Sequence, residues 1–398
     1  MRNKRILIFF GIFALFAMAA NFVHAVTPTL IVERNLDSSV FGTALAAMQT
    51  TMFLFSPFWG KLCDYIPTKK IMFIGAIGYA VGQMIFGAAQ NEIMVLGGRI
   101  FAGCFTGGCF TAFSNYVINT SDSKSYGTNL TIMLTIQTVG GAFGYFVGGF
   151  LGLISVEAAF TVQIAVLLLG GILFQIFCLD DTLYKAKPTM PLSIREVNPF
   201  SAFAAAKTFM TPMMAMLFMV IAVSGVGYNA YEQSFNFFIK DQYSLNSAYN
   251  GIIKVIIAAL TIALNSTVCI YLQRKTDINK SFLSVVVVAT TLVGSAIYMK
   301  GQLSFMAVYI VYSGINAVAM PLLQSLIAGR ATKENSNTVM GFYQSMNSLG
   351  QIFGALFAGL IYAVNPKYPF ILAFFAYVIA CMIGIVFVGK YRAGKREV

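Results

Sequence analysis

Apolar residues run through this chain in blocks of about 20, the length that crosses a bilayer as a helix, and polar residues gather in the gaps between them. The pattern predicts twelve spans, at roughly 6–32, 40–62, 70–90, 92–117, 127–153, 157–179, 209–239, 247–273, 280–299, 303–329, 337–364 and 368–389. One connection is long. Residues 180–208 open with Asp180 and Asp181 and carry Lys185, Lys187, Pro188, Pro191 and Arg195, dividing a six-span half over 1–179 from another over 209–398. Inside the fifth span Gly140, Gly144 and Gly148 fall four apart, with Gly149 beside the last. On a helix this stacks bare backbone along one face and lets a second helix approach closely, which is how helices associate in lipid. Gly350, Gly354 and Gly359 repeat the arrangement in the eleventh span, so the halves read as two copies of one unit.

Composition agrees with the pattern. Hydrophobic residues make up 58% and charged residues 10%, against about 25% charged in a soluble domain. This predicts an all-α membrane protein with no soluble domain. A net charge of +12 would fit nucleic acid if the basic residues shared a face, but they lie between apolar runs, so the expected partner is the bilayer and not a polynucleotide. With the N-terminus in the cytoplasm, only Arg34, Lys240, Lys300 and Lys367 fall outside, while Arg99 and Lys254 fall within spans. The rest lie inside, as the positive-inside rule requires, and both termini are placed in the cytoplasm. The apolar run after Arg2, Lys4 and Arg5 exceeds the roughly 7–15 residues of a signal-peptide core and reads as the first span. The six cysteines are scattered and suggest neither disulfides nor a metal site, and no cofactor is expected.

Three local motifs add a resemblance. Gly60-Lys-Leu-Cys-Asp64, with Lys69 and Lys70 after it, resembles the loop between the second and third helices of the major facilitator superfamily. Leu96-Gly-Gly-Arg99, with Gly103 and Gly107, resembles that family's fourth-helix motif, and the Gly140–Gly149 stretch resembles its antiporter motif. Tyr65, Pro67 and Tyr145 stand where the family usually has Arg, Gly and Pro. The resemblance implies two pseudo-symmetric six-helix halves around a central cytoplasmic loop. It also implies a cytoplasmic latch formed by Gly60, Asp64, Lys69 and Lys70, with Asp277 as the counterpart of Asp64 in the second half. A carboxylate facing a helix N-terminus meets unpaired N–H groups and a partial positive charge, which is a sound basis for a latch.

The residues within spans that carry charge are the candidates for coupling. Arg99, buried in a helix, must face a cavity or a partner. Glu232 lies in Tyr228-Asn-Ala-Tyr-Glu232 of the seventh span, a setting similar to the seventh helix of quinolone-type drug:proton antiporters. A carboxylate in a low-dielectric cavity can hold a proton and give it up when a cationic substrate arrives. Lys254 falls at similar depth in the eighth span, so a structural ion pair with Glu232 is the rival reading. His24, the single histidine, shares a helical face with Asn21 and Pro28 and could carry protons if wetted. Those antiporters also place an acid on the tenth helix, where this chain offers only Asn316. Asn21, Tyr228, Asn229, Tyr231, Tyr309, Tyr312, Asn316, Tyr343 and Gln344 are candidates for a substrate pocket between the halves, with Phe342 and Met346 as adaptable walls.

These readings converge on a monomeric secondary transporter in a plasma membrane, of prokaryotic type from its compact loops. It would export small amphipathic or drug-like molecules in exchange for protons. The rival is a dedicated transporter of a sugar, another metabolite or a lipid precursor, although few paired polar residues in the central spans favour a sugar. The chain has no HExxH, GxSxG or phosphate-binding loop, so an enzyme or an ATP-driven pump is not expected.

Overall fold

A segment in lipid must satisfy its own backbone, and an unbroken apolar run can do so only as a helix. The computed structural model describes residues 2–36, 40–122, 125–183, 203–243, 247–332, 334–362 and 364–394. Each expected span falls on helix. The first six are α1 (Arg2–Ala19) with α2 (Phe22–Glu33), α3 (Val40–Tyr65), α4 (Thr68–Gly87), α5 (Glu92–Thr120), α6 (Tyr126–Ile154) and α7 (Val156–Phe177). The rest are α8 (Pro212–Asp241), α9 (Ser247–Leu264) continuing into α10 (Ile270–Lys275), α11 (Ile278–Tyr298), α12 (Gln302–Ala328), α13 (Ser336–Tyr362) and α14 (Tyr368–Gly394). Among the described residues ten helices are long and apolar enough to cross a membrane. Most of the expected linker, including Lys185, Lys187 and Arg195, lies outside the described residues, as do Lys124 and Lys333.

Two spans are not the single helices the hydropathy predicts. The first breaks at Ala20–Asn21. The break is held from outside: Gln163 Nε2 donates to the Ala19 carbonyl at 2.9 Å and the Tyr79 hydroxyl to that of Ala20 at 3.1 Å. A second amide, Gln83 Nε2, lies 3.0 Å from Gln163 Oε1 and 3.3 Å from the Tyr79 hydroxyl, donating to both, and ties the two supports together. In the eighth span a π-helical turn, Asn265–Cys269, separates α9 from α10. Such bulges insert a residue without ending the helix.

The helices form two compact units. Met1–Phe209 with Ala331–Ser345 makes the first, and Met210–Arg330 with Met346–Val398 the second. The boundary cuts α13, whose first turns belong with the first unit. In that unit Phe9, Phe13, Phe16, Phe113 and Phe174 pack ring against ring, with Tyr116 4.9 Å from Phe9. In the second unit Phe235 stacks on Tyr309 at 3.6 Å and on Phe305 at 5.5 Å, and Phe370 packs edge to face against both Phe238 and Phe305. Large apolar residues also cover the outside: Phe143, Phe146, Phe150 and Leu153 of α6 are all more than half exposed. They recur at helical spacing opposite the glycines, as in a protein solvated by lipid.

The glycine faces do what bare backbone allows. A Cβ on Gly144 would lie 2.2 Å from the Met18 carbonyl oxygen, and one on Gly148 2.0 Å from that of Phe22. A Cβ on Gly140 would lie 3.1 Å from Ala17. So α6 lies directly on α1 and α2. In the second unit a Cβ on Gly350 would lie 2.6 Å from the Ala222 carbonyl, and one on Gly354 2.7 Å from that of Val226, bringing α13 onto α8. Gly149 does not share the face. Nothing lies within 4 Å of its Cβ position, because it sits among the exposed rings of Phe146 and Phe150. Gly152, whose Cβ would meet Val26 at 2.4 Å, continues the packing instead. The surroundings of Gly359 lie outside the described residues.

Candidate functional site

In the second unit, four side chains from α8, α9 and α12 meet around one carboxylate. Lys254 Nζ donates to Glu232 Oε1 in an ion pair whose side chains are 29% and 20% exposed. The Tyr228 hydroxyl, one helical turn before Glu232, also donates to that carboxylate. Lys254 reaches Tyr309 as well, and Tyr309 is hydrogen-bonded to Ser313. Beside this group the hydroxyls of Tyr312 and Tyr377 lie 2.7 Å apart, and Tyr377 donates to Asn316 Oδ1 at 2.8 Å. The acid therefore sits in a polar cluster with a counter-cation and tyrosine hydroxyls at hand. Such a cluster can hold a proton and exchange it.

Of the pocket candidates, Tyr228, Tyr231, Tyr309, Tyr312 and Asn316 come together here. Tyr231, Tyr309 and Tyr312 are buried to within 1% and pack on one another, with Tyr231 4.8 Å from Tyr312. They are interior packing and not open pocket wall, because a tyrosine ring fills the core best while its hydroxyl finds a neighbour. Asn229 points back along its own helix, Nδ2 donating to the Gly225 carbonyl at 3.0 Å, opposite Gly354. Tyr343 and Gln344 lie in the other unit and are nearly buried there, with Phe342 against Phe203 and Phe209. Tyr377 was not a candidate from the sequence. Its place in the most apolar span conceals it, and only the spacing Tyr312–Asn316 hints at a partner.

The first unit contains a cation without an acid. Arg99 is 3% exposed. Its guanidinium lies 4.1 Å over the Phe86 ring, Nη1 is 3.6 Å from Met48 Sδ, and Nε has no hydrogen-bond partner. Gly103 accounts for this neighbour: with no side chain there, α3 brings the Met48 carbonyl to 2.2 Å from its Cβ position. His24 and Tyr145 lie within electrostatic reach of the arginine, and their rings stack with centroids 5.9 Å apart. Asn21, at the helix break, donates to the Ala17 carbonyl at 2.9 Å and packs beneath Gly144.

At the other end of this unit, Asp64 accepts from Asn337 Nδ2 at 2.8 Å and from the Thr338 hydroxyl at 3.4 Å. Both donors lie in the first turn of α13. Gly60 permits the approach, since a Cβ there would lie 2.6 Å from the Asn337 carbonyl and 2.9 Å from Gly341 Cα. The network continues. Asn119 Nδ2 reaches Asn337 Oδ1 at 3.3 Å and Asp181 Oδ2 at 2.8 Å, while Asp181 Oδ1 accepts from the Thr68 amide at 2.9 Å. Asp181, fully buried, thus caps the start of α4 beside Lys69 and the exposed Lys70. The sequence reading missed it, along with Asn119 and Asn337, although two adjacent acids just after an apolar span are a usable signal. Asp277 does something else: its carboxylate accepts from the amide of Asn279 at 3.1 Å and caps α11.

Comparison with known proteins agrees with this architecture. The family model described as Major Facilitator Superfamily matches residues 8–312 and 278–398. The chain is 22% identical over 398 residues to Multidrug resistance protein 2 of Bacillus subtilis, covering 97% of this chain and 95% of that protein. It is 24% identical over 406 residues to the Quinolone resistance protein NorA of Staphylococcus aureus, covering 99% of both. A crystal structure of the human organic anion transporter MFSD10 superposes with a TM-score of 0.81 at 15% identity, over 96% of this chain and 99% of that one. With described residues that are helical throughout their ordered elements, a glycine face in each unit and a family match over nearly the full length, this multi-pass membrane protein belongs to the Major Facilitator Superfamily.

Proposed function

We propose that the protein exports small amphipathic, drug-like molecules across the plasma membrane in exchange for protons, crossing the bilayer twelve times with both termini in the cytoplasm. The observation that carries this reading is Glu232, an acid inside a span that shares its proton-binding oxygens with Lys254 and Tyr228. Full-length relatives named for multidrug and quinolone resistance support the substrate class. In this scheme the ion pair is the resting state. A proton arriving on Glu232 releases Lys254 to Tyr309, and the loss of charge changes which state of the carrier is favoured. The carrier then reorients by alternating access, Glu232 gives its proton up on the other side, and Lys254 returns to the carboxylate.

The test is dye transport by purified protein in liposomes with an imposed pH gradient, wild type beside Glu232→Gln. Gradient-driven dye movement in wild type, absent in the variant, is expected. If no dye moves under any gradient, drug export is wrong and a dedicated metabolite transporter takes its place. Equal movement by both proteins would remove Glu232 from the coupling step and leave export standing.

A further inference from the structure

Arg99 is a cation buried inside a span, with no acid beside it among the described residues. Of its guanidinium, Nη1 meets a thioether, the plane lies over a phenyl ring, and Nε has no hydrogen-bond partner. The neighbours within its electrostatic reach, Tyr79, Tyr145 and His24, include no carboxylate, and the Tyr79 hydroxyl already donates to the Ala20 carbonyl. In the second unit, by contrast, Lys254 is matched by Glu232. An unpaired buried charge is costly, and proteins keep one only where something pairs with it. A guanidinium is shaped to take two oxygens of one oxyanion side by side.

We propose that Arg99 is the binding point for the carboxylate, or an equivalent oxyanion, of an anionic or zwitterionic aromatic substrate. The cluster reaches the surface at Tyr145, which is 47% exposed and stacked on His24. Those two rings give the ligand's aromatic part an apolar, stackable neighbour beside the cation, and Met48 is a soft flexible cover that can move aside. This deepens the export reading, on which it rests for the idea that a substrate enters this half at all, by naming the group the substrate must carry.

The experiment measures thermal unfolding of the purified full-length chain with 2-naphthoate or with 2-naphthamide, which shares the ring system but has no charge. Ligand binding to the folded state raises the apparent Tm. For wild type, naphthoate at saturating concentration is expected to raise it by about 2 °C or more, and naphthamide not to. In Arg99→Gln the naphthoate shift disappears, while Arg99→Lys, which keeps the charge and loses the fork, keeps part of it. The ligand-free Tm of Arg99→Gln is expected at or above wild type, since an unpaired buried charge has been removed. Equal shifts with both compounds, no shift with either, or a naphthoate shift that survives Arg99→Gln would each overturn the proposal. The two readings fail separately: dye export without a naphthoate effect sinks this site alone, and a naphthoate effect without dye export sinks drug export alone.

Discussion

Glu232 and Lys254 lie on different helices of one unit and are each mostly covered, so neither is indifferent to losing the other. Removing one partner leaves a charge without its neighbour, at a cost of up to about 3–5 kcal/mol for a fully buried pair, less here because both side chains keep some exposure. Lys254→Met is therefore expected to lower the apparent Tm, and Glu232→Gln with Lys254→Met to recover much of the loss. Thermal unfolding of the two single variants and the double variant checks this; additive losses would mean the pair is not an energetic unit. From the sequence both residues stood out as rare charges in apolar runs, and their similar depth suggested the pair. Tyr309 and Tyr312 were equally visible, but not their burial. A tyrosine in a span reads the same whether it lines a cavity or fills a core, because only its neighbours decide which.

The elements were legible wherever apolar length decides them, and not where side chains from elsewhere intervene. The first helix breaks because Gln163 and Tyr79, far away in sequence, take the carbonyls of Ala19 and Ala20. No local pattern around Asn21 announces that. The glycine face of α6 was legible, apart from Gly149, which lies beyond the close contact. Gly148→Val should push a methyl into the Phe22 carbonyl, and since backbone cannot step aside as a side chain would, a loss of about 1–3 kcal/mol is expected. Gly149→Ala should stay within about 0.5 kcal/mol of wild type. Chemical or thermal unfolding of both variants decides it, and equal losses would mean that helix propensity and not contact governs this face. At the end of the same unit Asp181 caps α4 and holds Asn119. Asp181→Ala leaves the Thr68 amide without its acceptor, at about 1–3 kcal/mol for a buried donor so stranded, and leaves Asn119 Nδ2 with Asn337 Oδ1. Asp181→Asn keeps one acceptor and should lose less; an Ala variant as stable as wild type would show the cap to be idle.

At the scale of the whole molecule one local arrangement recurs in each unit. Asn21 bonds one turn back along its helix beneath Gly144, and Asn229 does the same beneath Gly354. The repeat breaks at the two aspartates that the sequence pairs. Asp64 joins α3 to the first turn of α13, whereas the carboxylate of Asp277 caps the helix it precedes. The difference follows from the glycines, since Gly60 and Gly341 let two backbones touch beside Asp64. Loss of the two carboxylates should therefore differ in kind. Asp277→Ala removes a helix cap, worth about 0.5–2 kcal/mol, and transport at a temperature well below unfolding should be kept. Asp64→Ala removes the tie between α3 and α13. If the Asp64 carboxylate is what holds the start of α13 on α3, a thiol at position 338 should then become open to a water-soluble maleimide. The measurement is the labelling rate of Thr338→Cys, in a background with the native cysteines removed, alone and combined with either Ala substitution. Faster labelling with Asp64→Ala and an unchanged rate with Asp277→Ala are expected. An unchanged rate with both would mean that the backbone contact at Gly60 and Gly341 holds α13 without help from the carboxylate.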